Sequence, residues 1–246
     1  MGTKARYDSE FLRFYDNASL GDGGEILGVI APLFYKEDFT KPEVDATNDW
    51  VESIVNSSTT TTVSGGAGGV ARITTGAADD DDHELSTPLF LKASQGIGME
   101  MRVATGDVAN TAMNIGFTDA VTEAADLLAF TFATATLTTT ATDAALFFTD
   151  KDATTNLLKF ASVKNNTDSA ITTGATLPVD AAFHVYRVEI DALGNITAYY
   201  DGALFATIAL GITITVALCV YVGLITREAA ANTLDIDYIA YWALSR

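Results

Sequence analysis

The stretch of sequence that decides the fold runs from residue 208 to residue 224 and reads IALGITITVALCVYVGL. Every even-numbered position holds a large aliphatic side chain, and the odd positions between them are mostly small or polar. A period of two is typical of β-strands with one buried face, and the β-branched residues favour strands as well. Because strands rarely exceed about ten residues, the pattern predicts two strands with a bend near Gly211 or residues 213–215.

The same region has an alternative interpretation as a membrane helix. Residues 203–225 carry no charge and are about long enough to span a bilayer. A helix facing lipid gives no reason for large and small side chains to alternate, so the strand interpretation is favoured. We therefore expect no membrane partner.

Composition and charge narrow the class of protein. With 246 residues, of which 48% are hydrophobic, the chain can form one large β-sandwich or two small domains. It has 32 acidic against 14 basic residues, a formal net charge of −18, which disfavours nucleic acid and anionic lipid as partners. The single cysteine, Cys219, excludes an internal disulfide. The first residues contain no apolar run, so no secretion signal is expected.

From Phe34 onward the chain is predicted to be all-β. Turn residues such as Asp201-Gly202 separate short runs that alternate or are apolar. Helical periodicity is nearly absent, and only residues 119–128 offer a short helix. The predicted strands are residues 35–39, 50–55, 69–74, 89–91, 99–104, 113–117, 127–133, 145–149, 157–163, 184–190, 196–200, 204–209, 216–224 and 234–242. Many short strands separated by turns indicate a sandwich or a barrel.

Residues 1–34 differ from the rest and are predicted to form an extended N-terminal arm, with a short helix near residues 8–16. Two apolar patches in the arm are the candidate partner-binding residues: Phe11, Leu12, Phe14, Tyr15, Ile26, Leu27, Val29 and Ile30. A segment of this kind can wrap a partner surface and fold on binding. The alternative, that the segment folds back onto its own domain, remains open.

Several segments together resemble a known domain family. They are residues 186–191, 194–196, 200–204 and 234–239, with further similarity at residues 37–39, 68–76 and 114–119. This pattern resembles the concanavalin A-like (laminin G-like) jelly-roll domain, in the variant found in structural proteins of tailed bacteriophages. The resemblance covers residues 35–246 and implies a two-sheet antiparallel jelly-roll sandwich whose first and last strands lie side by side. Fold-level resemblance specifies function poorly.

The densest run of charge contains the candidate metal ligands Asp79, Asp80, Asp81 and Asp82. Oxygen ligands at this density can bind Ca²⁺, but the run lacks the spacing and the turn glycine of an EF-hand. Runs of charge are usually solvated loops, so that interpretation is favoured. No other cofactor is expected.

Paired carboxylates raise the question of glycoside hydrolysis. Glu189 and Asp191 lie two apart on one predicted strand, as do Asp235 and Asp237. Some jelly-roll enzymes carry Glu-x-Asp-x-x-Glu on a strand, whereas this chain has Gly194 at the last position. These acids are therefore interpreted as solvent-facing strand residues.

Other catalytic patterns are weaker still. The chain has two histidines and no Gly-x-Ser-x-Gly motif, and the sequence predicts a protein that is not an enzyme. Five aromatic side chains could form a glycan-binding platform if several of them are exposed together. They are Trp50, Trp242, Tyr199, Tyr200 and Tyr241.

The leading hypothesis is a structural protein of a phage virion, a capsid decoration or auxiliary head protein made in the host cytoplasm and located on the capsid surface. Its expected partners are the major capsid protein and copies of itself as a homo-oligomer. The alternative is a carbohydrate-binding module of a head fibre or tail appendage, and a divergent glycoside hydrolase is the third candidate. The phage assignment rests on the resemblance alone.

Overall fold

The computed structural model of the chain describes residues 6–8, 11–13, 33–39, 44, 49–54, 58–64 and 69–245. In chain order the strands are β1 (Arg6–Asp8), β2 (Phe11–Arg13), β3 (Leu33–Glu37), β4 (Val51–Ile54), β5 (Thr59–Ser64), β6 (Val70–Thr74), β7 (Asp82–Ser86), β8 (Ile97–Thr105), β9 (Thr111–Thr118), β10 (Phe130–Ala133), β11 (Thr136–Thr139), β12 (Ala144–Asp150), β13 (Lys159–Lys164), β14 (Thr167–Asp168), β15 (Thr172–Thr173), β16 (His184–Ile190), β17 (Ile196–Tyr200), β18 (Ala203–Ile208), β19 (Cys219–Thr226) and β20 (Thr233–Ala243). A short 3₁₀ helix spans Ala93–Gln95.

The strands form a sandwich of two eight-stranded antiparallel sheets. Sheet I has the order β14-β13-β12-β9-β19-β7-β4, with β15 also paired to β13. Sheet II has the order β18-β17-β16-β8-β20-β6-β5, with β3 also paired to β20. The described residues thus confirm the predicted all-β two-sheet jelly-roll sandwich.

Helical structure is nearly absent from the described chain. The short helix offered by residues 119–128 does not form, since these residues adopt bends and turns. No helix in the described ranges has the length and apolar character needed to cross a bilayer.

The main hydrophobic core lies between the two sheets and follows from strand alternation. In β16, Tyr186, Val188 and Ile190 point into the core, whereas Arg187 and Glu189 alternate with them and lie on the outer face of sheet II. This agrees with the pattern of polar and apolar residues in the sequence.

The prediction of two strands is confirmed only at the two ends of the deciding stretch, because residues 209–217 form turns and bends. The two strands lie in different sheets. The first part of the stretch ends β18 at the edge of sheet II, and its last part forms β19 in the middle of sheet I. Val220, Val222 and Leu224 of β19 face the main core. The bend lies between the two strands, where the backbone N–H of Gly211 donates to the carbonyl oxygen of Gly194 at 2.8 Å.

The expectation of one exposed face is wrong for β19, which is buried on both faces. Cys219 and Tyr221 belong to a second hydrophobic cluster on the outer side of sheet I. Phe130 and Phe132 of the β10–β11 hairpin enter the same cluster. Residues 119–143, called the cover below, therefore shield this face from solvent, and the small side chains of β19 leave room for them.

The first and last strands of the sandwich lie side by side, as the family resemblance implied. Glu37 of β3 pairs with Ile239 of β20 in antiparallel register. The helix expected near residues 8–16 is wrong where the structure describes it, because Phe11–Arg13 is a strand paired with Arg6–Asp8. Phe11 and Leu12 lie in that strand. The other arm residues proposed to bind a partner lie outside the described residues: Phe14, Tyr15, Ile26, Leu27, Val29 and Ile30.

Candidate functional site

A cleft of about 460 Å³ opens at one end of the outer face of sheet II. It lies where β16 ends, β17 begins and β20 ends. Its polar and aromatic lining consists of Gln95, Glu189, Asp191, Asn195, Thr197, Trp242 and Ser245. Small-molecule sites commonly have this size and combine apolar walls with a few polar groups.

Trp242 forms one wall of the cleft because its neighbour on β8 is a glycine. Gly98 pairs with Trp242 across the strands, and a Cβ atom at position 98 would lie 2.2 Å from Cζ2 of the indole. The ring therefore lies across the space that a side chain would fill. The Arg187 guanidinium lies 5.4 Å from the Trp242 ring and 5.7 Å from the Tyr199 ring.

The predicted aromatic platform is only partly assembled. Tyr199 and Trp242 lie on the outer face of sheet II and meet around Arg187. Trp50 and Tyr241 are buried in the main core, and Tyr200 packs against it. The structure thus brings two of the five aromatic residues close to Arg187, and of the five only Trp242 lines the cleft.

Two carboxylates flank the same guanidinium. Arg187 Nε donates to Glu189 Oε1 at 2.9 Å, and Arg187 Nη1 lies 4.0 Å from Glu100 Oε2. Glu100 is buried and accepts a hydrogen bond from the Tyr238 hydroxyl. Sequence analysis missed Glu100 and Tyr238. Glu100 alternates with Met99 and Met101 in β8, and this alternation is the sequence signal that could have predicted Glu100 on the outer face of the sheet.

The carboxylate pairs singled out in the sequence do not form acid–base pairs. Asp191 accepts hydrogen bonds from the backbone N–H groups of Leu193 and Asn195, both at 2.9 Å. The hydrogen bond from the Asn195 side chain lowers the pKa of Asp191, which therefore stabilises the turn as an anion.

Asp235 and Asp237 of β20 each bind an arginine on an adjacent strand, one on β6 and one on β8. Arg72 contacts both oxygens of Asp235, each at 2.6 Å, and Arg102 donates to Asp237. These acids lie on the outer face of sheet II, as expected for strand residues that face solvent.

Only the beginning of the acidic run, Asp79 and Asp80, is a solvated turn, and the favoured interpretation is wrong from Asp81 onward. Asp82 begins β7, and Asp81, Asp82 and Glu84 are all buried. Burial is possible because other groups bind the charges. Asp81 Oδ2 accepts the Ala78 N–H at 2.9 Å, and Asp80, which is half exposed, pairs with Arg227.

The four candidate calcium ligands do not converge on one point. Asp80 and Asp81 bind the partners just described, and Asp82 accepts the Asp126 N–H at 3.0 Å. Within the described ranges, no group of three or more His, Cys, Asp or Glu side chains could hold a metal ion. Calcium binding by Asp79–Asp82 stays a prediction that this geometry does not favour.

Asp82 and Glu84 project from β7 onto the outer face of sheet I, beneath the cover. Burial raises the pKa of Glu84 to about 7, although the Glu123 N–H at 2.9 Å and the Tyr221 hydroxyl at 2.8 Å oppose this shift. Burial likewise raises the pKa of Asp82 to about 6. The carboxyl groups with raised pKa values are thus enclosed, and the open cleft lies on the other sheet.

Comparison with known proteins identifies the fold. No protein-family model and no curated protein matches the chain. A Bacillus licheniformis β-glucanase aligns with a TM-score of 0.56 at 15% identity, over 85% of this chain and 97% of that one. A family 16 endo-glucanase from Bacteroides ovatus aligns with a TM-score of 0.56 at 11% identity, over 83% and 98%. The Emp47p carbohydrate recognition domain aligns with a TM-score of 0.53 at 11% identity, over 84% and 96%.

At these identities the similarity shows a shared concanavalin A-like jelly roll, and function needs a separate argument. The prediction that the chain is not an enzyme is nevertheless contradicted, because solved structures with this fold include glycoside hydrolases. The absence of local sequence motifs does not exclude enzymatic activity, because catalytic residues can come from distant strands. A phage origin is not shown by these similarities.

Proposed function

We propose that the chain binds carbohydrate in the cleft beside Trp242. The observation that carries the proposal is a concave site in which an indole ring, two carboxylates, amides and hydroxyls line one cleft of about 460 Å³. Carbohydrates present apolar C–H faces and a ring of hydroxyl groups, so they suit a lining of this mixed kind. The glucanases and the carbohydrate recognition domain of similar fold support this choice of ligand class.

Charge restricts the kind of carbohydrate. The chain has a net charge of −18, and Glu189 and Asp191 both line the cleft. Sulfated or carboxylated sugars would be repelled by such a surface. We therefore propose neutral or amine-bearing saccharides as ligands.

A titration of the full chain with neutral β-glucan oligosaccharides tests the proposal by calorimetry. Thr197→Arg places a large side chain in the cleft and should weaken binding at least tenfold. Thr138→Arg, on the exposed β11 strand of the cover, is the matched control and should bind as the wild type does. Failure of the wild type to bind any neutral saccharide on a glycan array would refute the proposal, as would equal binding by Thr197→Arg.

Glycoside hydrolysis is a second candidate function, at carboxylates next to the cleft, of which Glu189 lines it. Glu100 and Glu189 lie on either side of the Arg187 guanidinium, one buried and one partly exposed. Glycosidases use two carboxyl groups on opposite sides of the scissile bond. Release of reducing ends from β-glucan should then be abolished by Glu189→Gln and by Glu100→Gln, whereas the chemically similar Glu228→Gln should keep it.

A role on a phage virion is a separate proposal that rests on the sequence resemblance. It makes the major capsid protein a partner through the arm of residues 1–34 and places the chain on the capsid surface. Mass spectrometry of purified virions tests it, and the copy number relative to the shell protein distinguishes a decoration protein from a fibre. Absence of the chain from the particles would refute it.

A further inference from the structure

We infer that the free edge of β18 is a self-association surface, at which a second copy of this chain adds its own β18 in antiparallel orientation. Sheet II ends at β18, and the outer edge of this strand pairs with no strand among the described residues. Unpaired N–H and C=O groups along such an edge are a template for another strand.

The edge lacks the features that normally keep sheet edges apart. Soluble proteins protect their edge strands with charged side chains, especially lysine, or with proline. Ala203–Ile208 contains none of these, and the chain carries no charged residue from position 203 to position 226.

Exposed apolar side chains follow the same edge. Leu204 of β18 is 62% exposed, and Leu193 and Leu210 beyond the end of the strand are 67% and 56% exposed. The Leu210 N–H donates to Asn195 Oδ1 at 3.0 Å. This hydrogen bond holds the turn after β18, which contains Leu210, next to the turn between β16 and β17, which contains Leu193. Several exposed apolar residues in a row indicate an interaction surface, whereas scattered ones do not.

Val179 is also 65% exposed, but it lies beside β16 and not at the free edge of β18, because its N–H donates to His184 Nε2 at 3.2 Å. The His184 ring stacks on Tyr200 with centroids 5.2 Å apart, and Tyr200 pairs with Ala203. The exposed apolar side chains at the free edge are therefore Leu204 and, beyond the end of β18, Leu210 and Leu193.

Opposite charges near the two ends of β18 favour a second copy in antiparallel orientation as the occupant. Two chains with a net charge of −18 repel each other over most of their surfaces, so an uncharged edge is where they can meet. Asp201 lies before the start of β18, and Lys164 Nζ donates to the Leu210 carbonyl oxygen beyond its end. A two-fold axis at the middle of β18 brings Asp201 of one copy towards Lys164 of the other. Such an interface is self-complementary.

Sedimentation velocity of the full chain between 1 and 200 µM tests the inference. We expect a monomer–dimer equilibrium that shifts towards dimer as salt screens the net repulsion. Leu204→Lys should weaken dimerisation at least tenfold. Leu127→Lys, at a leucine that is 36% exposed but lies in the cover of sheet I, is the matched control and should leave dimerisation unchanged.

Hydrogen exchange distinguishes strand pairing from a contact through side chains alone. Amide protons of Ala203–Ile208 should exchange more slowly at 200 µM than at 1 µM, whereas those of β17 should not change. A chain that stays monomeric at 200 µM in high salt would overturn the inference. A dimer that tolerates Leu204→Lys, or that leaves exchange in β18 unchanged, would also overturn it.

Discussion

The buried carboxyl group of Glu84 should make the stability of this protein fall as the pH rises from about 4.5 to 7. Burial raises the pKa of Glu84 from 4.5 to about 7, so the folded chain holds the proton more tightly than the unfolded chain does. Stability that depends on this proton is fully present below pH 4.5 and is lost as the pH passes 7. At about 1.4 kcal/mol for each pKa unit, the loss amounts to about 3 kcal/mol.

Glu84→Gln isolates this contribution, because glutamine has nearly the same shape and stays neutral. Urea denaturation at pH 4.5, 6, 7 and 8 should show that the wild type loses about 3 kcal/mol more than the variant over this range. Glu189→Gln, which changes a partly exposed carboxylate on the other sheet, is the control and should follow the wild type. Parallel pH profiles for the wild type and Glu84→Gln would refute the reasoning.

Two further predictions concern contacts that the structure alone reveals. Asn114→Ala removes the hydrogen bonds with the N–H and C=O of Phe130, at 2.8 and 2.9 Å, and leaves buried backbone groups unsatisfied. It should cost about 2–4 kcal/mol of unfolding free energy and accelerate amide exchange in β10, and unchanged exchange there would contradict it. Gly98→Ala should displace the Trp242 indole, cost about 1–3 kcal/mol and alter the near-ultraviolet circular dichroism, whereas an unchanged indole signal would show that the ring does not lie across position 98.

Strands with strong alternation and defined turns could be predicted from the sequence. The predicted bounds of β16 and β17 agree with the structure, because the polar and apolar residues of β16 alternate and a short turn containing Gly194 follows. The Asp201-Gly202 turn then leads into β18. All of these signals are local in the chain, since alternation and turn chemistry depend on neighbouring residues.

Strand β7 could not be predicted in this way. Asp82 and Glu84 have low strand propensity, and a dense run of acids normally remains in water. Their burial depends on N–H donors from Asp126 and Glu123, which lie about 40 positions later in the chain. The polar groups around Arg187 likewise include Glu100 and Tyr238, which are separated by 138 positions and meet only in the folded sheet.

By itself, the sequence determined that this chain forms short antiparallel strands and that two of them lie on either side of residues 209–217. The reason is that the pleat of a strand places alternate side chains on opposite faces, so the pattern is written in adjacent residues. Only the tertiary structure decided which faces are covered: Phe130 and Phe132 close the outer face of sheet I, whereas the cleft beside Trp242 on sheet II remains open. Such covering depends on contacts between distant segments, which no local pattern specifies.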